Sequence, residues 1–327
     1  MSAEARPAPT TFFREIARNR RRSWFLVVIV VIVLGLLGGA IGYATGLGWG
    51  GVVLAVIVAS LMSVGSYYAG DQLVMATSGA REIDLTKPPE QYQQLLNVVE
   101  EMRLAGGLPR PRVWVIDDSA PNAFATGRDP EHASVAVTTG LLQKLDREEL
   151  QGVIGHELSH VGNLDIRFTL LVGVLVGSIA LLADWFLRFT FWGGGRRSSS
   201  DSDRGGGGGA MALIFVLALV LAVVAPIIGR LVQAAVSRSR ESLADATAVD
   251  LTRNPVGLAR ALRKISDDPE VLEVANRATQ HLYIVNPIKS FEERSKSLWD
   301  THPPIGERIR ALEAIAGRMG FAGQEPG

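Results

Sequence analysis

Gly155-His156-Glu157-Leu158-Ser159-His160 is the stretch on which the reading of this chain turns. It contains the pattern H-E-x-x-H. Residues four apart lie on one face of an α-helix about one turn apart, so His156 and His160 can aim ring nitrogens at one ion. Glu157 points to a neighbouring face, from which it can reach a water held by that ion without binding the metal itself. A zinc hydrolase requires this arrangement, because the metal lowers the pKa of its water toward ~7 and a carboxylate takes the proton. The bland alternative is a solvated helix face with two ordinary histidines. Against it, the chain has only 5 His, and two of them fall at ligand spacing.

The flanks supply a helix for the motif. Asp146 followed three residues later by Glu149 has the form of a capping box, in which a side chain accepts the free N–H groups of a helix start. A helix is expected from there through Gln151 to about Val161. Upstream, residues 89–104 have helical spacing at Tyr92, Leu95, Leu96, Val99 and Met102 and stop at Gly106-Gly107. Residues 112–116 form a short β-rich run. Residues 122–126 and 133–138 flank the turn Gly127-Arg128-Asp129-Pro130 and predict a hairpin. The result is a small α/β unit. Glu148, Glu149 and Arg167 bracket the motif, which places it in a polar segment and not inside an apolar membrane helix.

A catalytic zinc needs a third protein ligand and an open position. The chain has no cysteine, which excludes disulfide scaffolds, thiol catalysis, iron–sulfur clusters and Cys-built zinc sites. The third ligand must be His or carboxylate. In Ser237-Arg238-Ser239-Arg240-Glu241-Ser242-Leu243-Ala244-Asp245, Glu241 and Asp245 share a helix face. A ligand paired with a carboxylate that holds a ligand histidine's far nitrogen would use that spacing. A solvated face alternating Arg and Glu would use it too.

Of 327 residues, 33 are basic and 33 acidic, so net charge is zero and no global field draws the chain to nucleic acid. Mean hydropathy is nevertheless +0.21 with 20% charged residues, so the apolar residues must be concentrated. They fall in four segments, residues 24–43, 52–69, 168–187 and 210–229. Each is near the ~20 residues that a helix rising ~1.5 Å per residue needs to cross ~30 Å of hydrocarbon. The first could alternatively be a cleaved signal peptide, since it follows a basic stretch and ends in small residues. Arg14, Arg18, Arg20, Arg21 and Arg22 precede it and the next turn carries no basic residue, which puts the N-terminus in the cytoplasm. Arg188, Arg196, Arg197 and Arg204 in the outer loop oppose that orientation, with Asp201 and Asp203 among them. The loop runs over roughly residues 188–209, and its Gly/Ser-rich part, residues 190–209, reads as a flexible tether. It lacks the setting and the Lys or Ser/Thr of a phosphate-binding loop.

The expected organisation is a basic cytoplasmic segment (1–23), a transmembrane hairpin (24–70), a first catalytic segment (71–167), a second transmembrane hairpin (168–229) and a second catalytic segment (230–327). The fold class is therefore an α-helical membrane protein with four transmembrane helices and a cytoplasmic α+β zincin-like metalloprotease domain, mostly α with a small sheet. If the ligand-bearing helices continue straight out of the membrane, His156, His160 and Glu241 meet ~12–18 Å above it.

Several further stretches carry a resemblance. They are residues 121–127 (Pro-Asn-Ala-Phe-Ala-Thr-Gly), residues 135–142, the motif helix extended to Asn163 and Asp165, Arg240-Glu241 with Ala244-Asp245, residues 284–287 (Ile-Val-Asn-Pro), and Thr301-His302-Pro303-Pro304 with Arg308. In this order the chain resembles the HtpX-type membrane zinc metalloproteases, a group related to the CAAX prenyl proteases. The resemblance implies one Zn²⁺ per chain on His156, His160 and Glu241, Glu157 as general base and acid, and Asp245 as support. It implies that His302 and Arg308 steady the oxyanion. It also implies that Asn122 and the run Ala133, Ser134, Val135, Ala136 and Val137 form the strand along which a polypeptide substrate pairs. The implied setting is the bilayer of a bacterial cytoplasmic membrane, with misfolded or damaged membrane proteins as substrates and both termini cytoplasmic. A di-iron hydroxylase would need roughly eight histidines. A catalytically inactive scaffold of the same fold is the non-enzymatic alternative.

Overall fold

A computed structural model describes residues 49–171, 238–270 and 304–321, together with residues 21, 25, 28, 32, 272, 283 and 284. Most of the expected first and third apolar spans, the whole of the fourth, the Gly/Ser loop and His302 lie outside these residues. The second apolar segment falls within helix α1 (Trp49–Thr77). Many of its apolar side chains are outside the description, and among the described residues no helix is long and apolar enough to cross a membrane.

A four-stranded sheet follows, made of β1 (Arg81–Glu82), β2 (Arg112–Ile116), β3 (Ala123–Gly127) and β4 (Ala133–Thr138). Its order is β1-β2-β4-β3. β3 and β4 form the expected antiparallel hairpin. β4 also pairs in parallel with β2, so it is an interior strand. Side chains alternate across the pleat. Val113, Val115, Ala123, Ala125, Val135 and Val137 join the main core. Phe124, Ile116 and Ala136 join a second cluster with Met75 and Tyr283 on the opposite face.

On the main-core face lie α2 (Gln93–Ala105), the short α3 (Thr139–Lys144) and the motif helix α4 (Arg147–Gly162). α5 (Arg238–Thr252), α6 (Pro255–Asp267) and α7 (Ile305–Arg318) complete the domain. α4 starts at the predicted capping box: the Asp146 side chain accepts from Glu149 N–H, and the Glu149 side chain accepts from Asp146 N–H, each at 2.9 Å. It packs against α2, β3, α5 and α6, and its residues from Glu149 to Ser159 are buried except Gln151. The solvated-face reading of the motif therefore fails.

α6 can approach α4 closely because Gly152 has no side chain. A Cβ there would lie 2.8 Å from the backbone of Leu258. Gly152→Val is expected to destabilise the domain by about 1–3 kcal/mol by forcing the two helices apart, read as a lower denaturant midpoint. An unchanged midpoint would mean that this contact is not tight.

α4 does not continue straight. It ends at Gly162, Leu164 adopts a left-handed φ of 58°, and a new helix begins at residue 165. The expectation of one straight helix rising from the membrane is corrected here, for a reason that lies in the site.

Candidate metal centre

α4 supplies His156, Glu157 and His160, and α5 supplies Glu241 and Asp245. The helices pack side by side, close enough that a Cβ on Gly155 would sit 3.4 Å from Ala248 Cα. The two histidine Nε2 atoms face each other at 3.2 Å. Glu241 brings Oε2 to 3.6 Å from His156 Nε2 and Oε1 to 3.6 Å from His160 Nε2. Ligands bonded at ~2.0–2.1 Å and set at the tetrahedral angle lie ~3.3 Å from one another. The donor separations match that spacing, so the three side chains fit a zinc-sized ion. His156 and Glu241 are buried.

Each histidine is held from behind through its other ring nitrogen. His156 Nδ1 meets Asp245 Oδ1 at 3.0 Å. Arg308 grips the same carboxylate with two bonds, Nε to Oδ2 at 2.9 Å and a second guanidinium nitrogen to Oδ1 at 2.6 Å. Its remaining nitrogen lies 3.3 Å from Glu241 Oε2 and 3.4 Å from the Ile284 carbonyl. His160 Nδ1 meets Asp165 Oδ2 at 3.0 Å, and Arg240 lies 3.5 Å from Asp165 Oδ1. Such partners fix ring orientation and tautomer so that Nε2 is the donor.

Charges in this interior are shifted strongly. Burial pushes the Glu157 carboxyl up to about 7, with the nearby Glu241 adding to it and His160 opposing. Burial also lowers His156, reinforced by the Arg308 charge. For His160 burial acts the same way but is outweighed by the Asp165 hydrogen bond and the Glu241 charge, which raise it to about 9. For Asp245 burial is outweighed by Arg308 and His156, which hold it at about 2. The Glu157 carboxylate accepts a hydrogen bond from the Ala125 backbone N–H, tying it to β3.

A model of Peptidase family M48 matches residues 89–316. A protease HtpX homolog of Listeria monocytogenes serotype 4b (strain CLIP80459) is 43% identical over 307 residues, covering 92% of this chain and 99% of the relative. The chain belongs to peptidase family M48. Another protease HtpX homolog, from Ligilactobacillus salivarius, is 43% identical over 302 residues, covering 92% of this chain and 99% of the relative. A crystal structure of S. mikatae Ste24p aligns with a TM-score of 0.47 and 16% identity, over 92% of this chain and 67% of that one.

The protein is thus an HtpX-type M48 metallopeptidase. The family implies a metal cofactor, and His156, His160 and Glu241 are the candidate ligands. Not every expected M48 site residue falls where the sequence put it. Arg308 is buried behind the ligands, with its guanidinium committed to Asp245, Glu241 and the Ile284 carbonyl. Ala133, Ser134, Val135, Ala136 and Val137 form β4, whose two edges are taken by β2 and β3. A substrate cannot pair with an interior strand, so that expectation is corrected. Asn122 lies buried at the start of the hairpin, its carbonyl accepting from Thr138 N–H at 3.0 Å.

The strand beside the motif glutamate is β3. Sequence reasoning missed its Ala125, and assigned no role to Asp165 or Arg240. The signals available were a carboxylate five residues beyond the second histidine and an arginine next to Glu241.

Proposed function

We propose that this protein is a zinc-dependent endopeptidase of the bacterial cytoplasmic membrane that hydrolyses cytoplasmic segments of misfolded or damaged membrane proteins. The observation that carries the zinc reading is the trio His156, His160 and Glu241, with His156 and Glu241 buried, His160 half-buried and donor separations of 3.2, 3.6 and 3.6 Å. When bound, zinc supplies a Lewis acid that polarises the scissile carbonyl and acidifies water. Glu157 accepts a proton from the attacking water and delivers it to the leaving amine, so no covalent acyl-enzyme is needed. Its hydrogen bond from Ala125 places it at the outer side of β3. Asp245 and Arg308 keep His156 in the donating tautomer. His302 is the residue assigned to the oxyanion.

The membrane reading is supported by the four apolar segments and by α1, where Val53, Ile57, Leu61, Val64 and Tyr68 are exposed along one face. A helix that shows an apolar stripe outward suits a hydrocarbon solvent better than water. The run of arginines before residue 24 supports cytoplasmic termini. Unfolded casein incubated with the detergent-purified protein in ¹⁸O-labelled water should yield internal fragments with label in their new carboxyl termini. Cleavage confined to chain ends would contradict an endopeptidase, and unlabelled termini would contradict hydrolysis by water.

A further inference from the structure

His156 and His160 are both backed by an aspartate and an arginine, but the two supports are built differently. Asp245 stands on α5, four residues beyond Glu241, and Arg308 holds both of its oxygens. Asp165 stands five residues beyond His160. On one continuous helix five residues turn the chain by ~500°, which would point Asp165 ~140° away from His160. The break at Leu164, with φ 58°, removes that constraint and lets Asp165 Oδ2 reach His160 Nδ1 at 3.0 Å. The same break means that α4 alone does not fix where Asp165 stands.

Arg240 meets that need. Its guanidinium lies 3.5 Å from Asp165 Oδ1, the oxygen not facing His160. It also lies over the Phe168 ring at 5.3 Å, so it contacts two side chains, three residues apart, on one face of the first turn of the helix that starts at residue 165. Arg240, Asp165 and Phe168 are all buried. Arg240 immediately precedes Glu241, so one turn of α5 carries both a candidate ligand and a hold on the opposite histidine.

We propose that Arg240 is a positioning residue for the metal centre: it fixes Asp165, and through it His160, by clamping the helix that leads into residues 168–187 to α5. The clamp ties the centre to the chain on both sides of the second apolar hairpin. This rests on the reading of His156, His160 and Glu241 as zinc ligands.

Zinc affinity of the detergent-purified chain, measured by competition with a chelator, reads the clamp directly. Arg240→Met is expected to bind zinc ~10–100-fold more weakly, as is Asp165→Asn, the usual range for loss of a partner behind a ligand. The double variant should be no weaker than Asp165→Asn, because both changes act through one carboxylate. With cobalt in place of zinc, both single variants should shift the visible absorption in the same way. Arg240→Lys, which keeps the charge but not the planar fork, should recover part of the affinity. It takes the place of Arg240→Met in the cycle if that variant does not fold. Wild-type affinity in the arginine variant, or two losses that multiply, would overturn the clamp. A wild-type chain that binds no zinc would instead remove the reading on which it rests.

Discussion

Glu157→Gln is expected to bind zinc as the parent does and to lose roughly 10²–10⁴-fold in peptide hydrolysis, the range for removing a general base. The amide keeps the size of the side chain and can still pack beside β3, but it cannot accept a proton. Glu157 is buried and held by the Ala125 N–H, with no ligand role in the donor geometry, so metal binding should be spared. Metal content and cleavage of an unfolded substrate, measured on the same preparation, separate the two effects. Cleavage at the parent's rate would sink the proposed role of Glu157.

Glu241→Ala is expected to remove the metal itself. The substitution takes away one of three donors and leaves Arg308 and the histidines facing a cavity without the carboxylate that balances them. The loss in zinc affinity should exceed the ~10–100-fold typical of partners behind the ligands, with activity falling in parallel. Full zinc occupancy in this variant would exclude Glu241 from the ligand set.

What could be read from the sequence was the part written in short-range pattern. The Asp146/Glu149 box set the start of α4, and the β-rich run at residues 112–116 is β2. The turn at Gly127 joins β3 and β4, with Gly127 at φ 147°. The spacing of His156, His160, Glu241 and Asp245 carried the chemistry, because one helix turn is a fixed length. What could not be read was set by long-range packing. Nothing local says that β4 pairs with β2, 22 residues upstream in register, and so becomes an interior strand with no edge for substrate. The break at Leu164 was likewise invisible, since a leucine is an unusual residue for a left-handed turn. The Asp165 support for His160 depended on that break. Arg308 was recognised as a site residue, but its place behind Asp245 follows from α7 packing on α5 and α6.

In the proposed mechanism α4 and α5 together build a single zinc centre on which hydrolysis depends. Stripping the purified protein with a chelator and titrating zinc back while following cleavage of an unfolded substrate tests it most directly. Activity should vanish on stripping, rise in proportion to added zinc and level off at about one zinc per chain. Cleavage that persists in the stripped protein would contradict the account.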